Sequence, residues 1–411
     1  MKSFKLPLIL DGATGTNLYS NGLERGVCVE SFVLENPEVI KKIQEDFYSA
    51  GTDLCMAPTF SANRVKLKHF NLENRCEEYN QKLYSLTAQT AKKFENKFVA
   101  VDISPTGVFV KPFSDTPFEE VYDVYCEQIN SFKGLNIDFV VGETLMSLYE
   151  ARAIVLACKQ IDAKVFITVT IDENGRTLSG ATPLSVLLTL QEMGIDAFGI
   201  NCSFGPELML EPIREMVNYA KIPIIAKPNA GFPDPVTGEF NMSPQEMGQG
   251  IKALLNEGVS IVGACCGSTA EHIKEITKIV NNFEYKPYKV ADFGNIEYLT
   301  SENKTYKIDK TNFTTSEYII KDSESIEDDI FDLNDEEIDI LTVVVEDENY
   351  ALEFCMNTHY LTMPFILKSD NIKALDTALF NYQGRCAISK NCKISENNFI
   401  SLTQRYGCAI L

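Results

Sequence analysis

Ala197-Phe198-Gly199-Ile200-Asn201-Cys202, Pro223-Ile224-Ile225-Ala226-Lys227-Pro228 and Ser260-Ile261-Val262-Gly263-Ala264-Cys265 are short runs, apolar over most of their length, separated by longer helical patterns. Runs of this kind suit parallel strands covered on both faces. Toward the N-terminus the alternation recurs with Leu6–Asp11, Asp53–Thr59, Phe98–Ile103, Asp138–Glu143 and Val165–Thr170, giving eight strand-and-helix pairs between residue 6 and about residue 283. Helical segments include Pro37–Ala50, Glu119–Lys133, Leu184–Met193 and Glu271–Val280. Thr182-Pro183, Ser243-Pro244 and Ser268-Thr269 each place a capping hydroxyl near a first turn. Eight such units in roughly 250–280 residues match a closed (β/α)8 TIM barrel of the α/β class. An open doubly wound sheet, which usually uses fewer parallel strands, is the alternative. In a barrel the chemistry sits at the C-terminal ends of the strands and in the loops that follow.

With 411 residues, 45% hydrophobic and 23% charged, the chain has material for a large core and room for a second domain. A formal net charge of −21 argues against broad binding to nucleic-acid phosphates or anionic lipid. Met1 leads into the strand-like Leu6–Leu10 without the features of a secretory signal. No apolar run approaches the roughly twenty residues of a membrane span. A cytoplasmic address is expected. There, the twelve cysteines read as buried thiols, metal ligands or nucleophiles rather than disulfides. Cys55 and Cys158 lie in apolar stretches and read as core.

After Tyr285 the character changes. Residues 286–321 are polar, and 322–348 carry thirteen Asp or Glu without Lys or Arg, interrupted by Val343-Val344-Val345. Such a charge block reads as a solvated face, with a docking element for a basic partner as the sharper alternative. From Met363 onward the pattern is again strand and helix: Pro364–Leu367, Ile372–Asn381, Cys386–Ser389, Asn398–Arg405 and Cys408–Leu411. The expected organisation is a barrel over 1–285, a polar and acidic linker over 286–348, and a small α/β piece over 349–411.

Gly263-Ala264-Cys265-Cys266-Gly267 ends an apolar strand with two adjacent thiols between glycines. Adjacent cysteines bind one metal only where the backbone turns sharply, which glycine permits. A pair of buried rim cysteines is the alternative. Asn201-Cys202-Ser203-Phe204-Gly205-Pro206 adds a cysteine at another strand end, which in a barrel faces the same cavity. Three thiolates suit Zn²⁺, and an open fourth position marks a catalytic rather than a structural site. A thiol substrate there is delivered as thiolate near neutral pH.

The segments Asp11-Gly12-Ala13-Thr14-Gly15-Thr16, Pro58-Thr59-Phe60-Ser61-Ala62-Asn63, Asp102-Ile103-Ser104-Pro105-Thr106-Gly107, Gly142-Glu143-Thr144, Asn201–Pro206, Lys227-Pro228-Asn229-Ala230-Gly231 and Gly263–Gly267 occur in this order. Through them the chain, over about residues 6–283, resembles the homocysteine S-methyltransferases, including the N-terminal module of cobalamin-dependent methionine synthase. Pro112–Glu120 and the Pro-Asn-Ala-Gly loop are closer to the methionine synthase branch than to the betaine or S-methylmethionine branches. The resemblance implies that Cys202, Cys265 and Cys266 are the catalytic zinc ligands. It places the Asn229 amide oxygen in the fourth position when substrate is absent, with turn chemistry as that residue's alternative role. Asp11, Gly12 and Glu143 match the residues that receive the amino-acid end of homocysteine. An ammonium wants a carboxylate, and a carboxylate wants backbone N–H groups brought close by glycine. Glu143 could otherwise be a capped loop residue.

The implied reaction is methyl transfer to homocysteine, giving methionine. The expected donor is methylcobalamin supplied in trans by a separate corrinoid protein, since no cobalamin module is recognisable. S-methylmethionine or another onium compound is the alternative donor, and a non-catalytic zinc-containing adaptor the alternative from another class. His69, His272 and His359 lie outside the matching segments and read as surface or packing residues. Residues 363–411 resemble, more weakly, a degenerate fragment of the pterin-binding barrel of methionine synthase. At its strand ends stand Lys368 and Ser389 in place of the Asp and Asn that contact pterin, so folate binding is not expected.

Overall fold

The computed structural model describes residues 4–234, 236–287, 289–320 and 325–411. Contacts group the chain into two units: one of Met1–Gly107, Glu119–Ser179 and Ile195–Val290, the other of Val108–Phe118, Gly180–Gly194 and Ala291–Leu411.

The first unit carries eight parallel strands: β1 (Leu8–Ile9), β2 (Leu54–Met56), β3 (Phe98–Ile103), β4 (Phe139–Leu145), β5 (Lys164–Val169), β6 (Ala197–Asn201), β7 (Ile224–Lys227) and β8 (Ile261–Val262). Their order is β1-β8-β7-β6-β5-β4-β3-β2. A parallel bridge between Leu10 and Leu54, with Asp53 N donating to Ile9 O at 2.7 Å, closes the ring. This is the (β/α)8 barrel. Every strand expected from the sequence is present, shifted at its ends by a few residues, which is where fraying makes assignments least sharp. Two of the expected caps have side chains in place. Thr182 accepts from Ser185 N at the helix Pro183–Glu192, and Ser243 and Glu246 form a reciprocal box at Pro244–Asn256.

Because side chains alternate along a strand, every second residue points into the barrel. Leu8 and Leu10, Phe98 and Ala100, Phe139 and Val141, Phe166, Ala197, Ile225 and Ile261 make that interior cluster. At its base Phe98, Phe139 and Phe166 meet edge to face at 5.2–5.3 Å, an arrangement favoured by the ring quadrupoles. Continuing the same alternation, the next inward residues are Asp102 on β3, Glu143 on β4 and Lys227 on β7. The barrel therefore runs from an aromatic floor to a charged upper layer.

The second unit contains the hairpin β9 (Ile296–Thr300) and β10 (Thr305–Asp309). It also holds a parallel sheet in the order β11 (Thr315–Ile319), β12 (Ile340–Val344), β13 (Phe365–Lys368), β14 (Ala387–Ile388), β15 (Ala409–Ile410). Leu299 and Ile308 of the hairpin pack with Ile340, Ile366, Ala387, Ala409 and Leu411 of the sheet and chain end. Buried Arg385 ties the unit together, bonding Glu297 at 2.6 Å and Gly407 O at 2.7 Å. The helix Pro183–Glu192 belongs here too, through Thr189 Oγ1 to Thr300 Oγ1 and Ser185 Oγ to Glu302 O, both 2.7 Å.

The stretch 286–348 is thus not a linker. It contributes β9 to β12 and the helix Ile326–Leu333, although the opening acidic residues 322–324 lie outside the described residues. The physical reason is position along the elements. Glu327, Asp328 and Asp329 occupy a first helical turn, where the helix dipole favours them, and Asp347 caps Glu348–Asn357. Ile326, Ile330, Ile340, Leu341 and Val343 between these acids are buried. Among the described residues no helix is long and apolar enough to cross a membrane.

Candidate functional site

The ends of β6, β7 and β8 are stitched together by the main chain. Cys202 N donates to Lys227 O at 3.2 Å, Gly263 N to Ala226 O at 3.1 Å, Cys265 N to Pro228 O at 2.7 Å and Ala230 N to Cys266 O at 2.9 Å. Two non-glycine residues here have left-handed backbones, Thr144 (φ 59°) and Cys202 (φ 52°). Such conformations cost on the order of 1 kcal/mol or more and persist where the surroundings over-determine them. The Asn201 side chain does this for Thr144, accepting its N–H and donating to its Oγ1, both at 2.8 Å. At Cys202 the left-handed turn swings the chain out of β6 toward the end of β8.

As a result Cys202, Cys265 and Cys266 place their sulfurs within 4.8 Å of one another, with Cys202 Sγ and Cys266 Sγ 3.5 Å apart. Sulfurs about 2.3 Å from one ion at tetrahedral corners would lie about 3.8 Å apart, so small side-chain adjustments suffice for all three to share it. Hydrogen bonds from Cys202 and then Cys265 push the Cys266 thiol well below its ordinary value. Hydrogen bonds to Cys265 and Cys266, together with burial, push Cys202 far up. Asn229, on the loop after β7, is buried and its Oδ1 has no hydrogen-bond partner, while the N–H of its neighbour Ala230 donates to Cys266 O at 2.9 Å. The residues present fit a thiophilic divalent ion with zinc's ligand preferences.

Next to the thiols lies the charged layer. Lys227, fully buried, reaches Glu143 Oε2 at 2.9 Å, Asp11 Oδ1 at 3.4 Å and Met56 Sδ at 3.5 Å. Burial works against its charge, but Glu143 and Asp11 outweigh burial, so the ammonium keeps its proton. Burial also raises the carboxyls: Asp11 to about 6 despite Lys227 and the Met56 N–H, and Asp102 well above its usual range, with Glu143 adding to the push. Glu143 is raised by burial against the pull of Lys227. Three buried carboxyls thus surround one ammonium, and Asp102 Oδ1 has no partner. Gly12 approaches closely as well. A Cβ there would stand 2.8 Å from the Phe47 ring and 2.9 Å from Ser268 Oγ.

The tertiary fold therefore brings together Cys202, Cys265 and Cys266, and separately Asp11 and Glu143. It places Asn229 and Gly12 on the adjoining strand-end loops. Lys227 and Asp102 were not singled out from sequence. The signal existed in the period of two: Phe98-x-Ala100-x-Asp102, Phe139-x-Val141-x-Glu143 and Ile225-x-Lys227 each carry the inward register to a charge. His272 proves a packing residue: Nδ1 accepts from Thr269 N at 3.1 Å, which leaves Nε2 to donate to Met242 O at 2.9 Å.

The fold is a (β/α)8 barrel with three thiols gathered at the ends of β6 and β8. Residues 8–280 match the family described as homocysteine S-methyltransferase, and the chain belongs to that family. It is 26% identical over 422 aligned positions to a methionine synthase of Mycobacterium tuberculosis (strain ATCC 25618 / H37Rv), covering 93% of this chain and 35% of that protein. It is 29% identical over 294 positions to a methionine synthase of Mycobacterium leprae (strain TN), covering 66% and 24%. The chain spans about a third or less of the length of these relatives. The metallated form of the homocysteine methyltransferase MmuM from Escherichia coli aligns with a TM-score of 0.57 at 21% identity, covering 66% of this chain and 95% of that one. Its oxidized form aligns with a TM-score of 0.57 at 19% identity. That likeness speaks to the fold.

Proposed function

We propose that this chain is a cytoplasmic zinc methyltransferase that moves a methyl group onto the thiol of homocysteine, giving methionine. The observation that carries the reading is the three-thiol cluster at the ends of β6 and β8 beside the buried carboxyls Asp11, Asp102 and Glu143. Cys202, Cys265 and Cys266 would hold the ion. When bound, zinc supplies a Lewis acid that lowers the pKa of a substrate thiol and presents its sulfur as thiolate near neutral pH. Three cysteinate ligands keep that site anionic, which favours a nucleophilic sulfur over hydrolytic chemistry.

The chain's own residues supply recognition. The carboxyls of the charged layer meet the α-ammonium of homocysteine, and the close backbone at Gly12 receives its carboxylate. Asn229 Oδ1, buried without a hydrogen-bond partner, would be the further residue to hold the ion in the absence of substrate. In the transfer a carbon–sulfur bond forms, the donor departs with the electron pair of its bond to the methyl group, and the thiol proton goes to solvent. The donor we propose is methylcobalamin presented by a corrinoid-carrying protein, in keeping with the motif likeness to the methionine synthase branch.

The test is methionine formation by the zinc-loaded chain, with free methylcobalamin, a corrinoid protein and S-methylmethionine each offered as donor. Turnover with the corrinoid donors supports the full reading. Turnover with S-methylmethionine alone keeps the acceptor and replaces the donor. No turnover with any donor, at full zinc occupancy, would overturn it.

A further inference from the structure

Asp11 and Glu143 are alike in chemistry but not in what the fold leaves them free to do. Both oxygens of Asp11 are engaged: Oδ2 accepts the Met56 N–H at 2.8 Å and Oδ1 faces Lys227 at 3.4 Å. Glu143 gives only Oε2 to Lys227, at 2.9 Å, and its Oε1 has no hydrogen-bond partner among the described residues. An ammonium carries three N–H donors. Those of Lys227 are matched by three acceptors, Glu143, Asp11 and Met56 Sδ, so none is left over for a substrate carboxylate. The chain also makes room for this arrangement. At Gly263 a Cβ would stand 3.1 Å from Lys227 Cγ and 2.9 Å from Leu10 Cβ.

We propose that Lys227 is a positioning residue for substrate recognition: by gripping one oxygen of Glu143 beside Asp11 it leaves the other oxygen open as the acceptor for the substrate's α-ammonium. Glu143 is then the residue that reads the amino group, while Asp11 orders the floor beneath it and fastens β1 to β2. The inference rests on the homocysteine reading and deepens it, because it names the feature of the substrate that this pocket tests. Lys227 acts through Glu143 and not on the sulfur, so its removal should cost discrimination for the amino group and not thiol binding in general.

The experiment is anaerobic calorimetry on the zinc-loaded full chain with L-homocysteine and with 4-mercaptobutanoate, which has the same thiol and carboxylate but no amino group. Lys227→Met is expected to weaken homocysteine binding roughly tenfold or more, the worth of one charge-assisted hydrogen bond, and to leave 4-mercaptobutanoate within about twofold. In a Glu143→Gln background the same substitution should have little further effect on homocysteine, since the acceptor it positions is already gone. Lys227→Gln, which retains an N–H donor for Glu143, should fall between wild type and Lys227→Met. It also carries the test if the methionine variant loses zinc or fails to fold. Equal weakening of both thiols, an undiminished effect in the Glu143→Gln background, or unchanged homocysteine affinity would overturn the assignment. Failure of the wild-type protein itself to bind homocysteine would instead remove the underlying functional reading, and the assignment with it.

Discussion

Gly199 lies in the middle of β6, three residues before Cys202, and its missing side chain is what lets β7 lie alongside. A Cβ at this position would stand 1.9 Å from Ile225 O, 2.6 Å from Ile225 C and 2.7 Å from Ile225 Cα. All three are main-chain atoms of the paired strand, so no rotamer change relieves the overlap. Gly199→Ala must push β6 and β7 apart. Overpacking a close-packed interior costs about 1–3 kcal/mol where side chains can shift, and a main-chain clash belongs at or beyond the upper end. For a unit of this size about 3 kcal/mol lowers the melting temperature by about 6 °C or more. Cys202 follows β6, Lys227 ends β7 and Asn229 lies just beyond it, so zinc affinity should fall as well, although no ligand has been touched. The assay is thermal unfolding followed by circular dichroism, paired with competitive zinc titration. Gly15→Ala is the control: it lies in the helix Thr14–Ser20 with nothing within 4 Å of the added methyl, and should be neutral or stabilising by about 0.5–1 kcal/mol. A Gly199→Ala protein that melts with wild type and binds zinc as tightly would refute the argument that this contact sets the spacing of the site.

Cys202→Ser, Cys265→Ser and Cys266→Ser should each sharply weaken zinc binding and abolish methyl transfer, because hydroxyl is a poor substitute for thiolate. Metal analysis after dialysis checks this, and full activity in any one variant would contradict the proposed ligand set. Asp11 binds its proton more tightly folded than unfolded, so its contribution to stability is full below about pH 4 and is lost as pH rises toward its folded value of about 6. The loss is up to about 3 kcal/mol for this single group. Denaturation midpoints of the metal-free protein between pH 4 and 6.5 should show that slope, reduced in Asp11→Asn; an identical slope in the variant would contradict it. Methyltetrahydrofolate should give no saturable heat with the whole chain. Lys368 is occupied by Glu317, and Ser389 Oγ by the Asn391 N–H.

Much of this molecule is legible in its sequence, for identifiable reasons. Parallel strands buried on both faces need continuous apolar runs, and eight of them separated by capped helical patterns leave little but a barrel. Cysteines set among glycines at strand ends mark the thiols that the barrel gathers into one cluster. The reading failed where local pattern and tertiary burial part company. In 286–348 the acids are the conspicuous residues, yet the isoleucines and valines between them hold the sheet. A charge block looks the same whether it flanks a strand or floats in solvent.

Lys227 marks the same limit within the site. In the sequence it is a lysine at the end of an apolar run, a place where such side chains usually reach out to water. Its partners are 216 and 84 residues away along the chain, in Asp11 and Glu143. Only closure of the ring sets the ends of β1, β4 and β7 around one point. What the sequence determined by itself were the elements and the kinds of chemistry at their ends, because these follow from local periodicity and residue type. Which of those ends share a cavity, which carboxylate oxygen is taken and which is left open, were decided by the tertiary structure, because burial and hydrogen bonding are properties of the closed barrel and not of any segment within it.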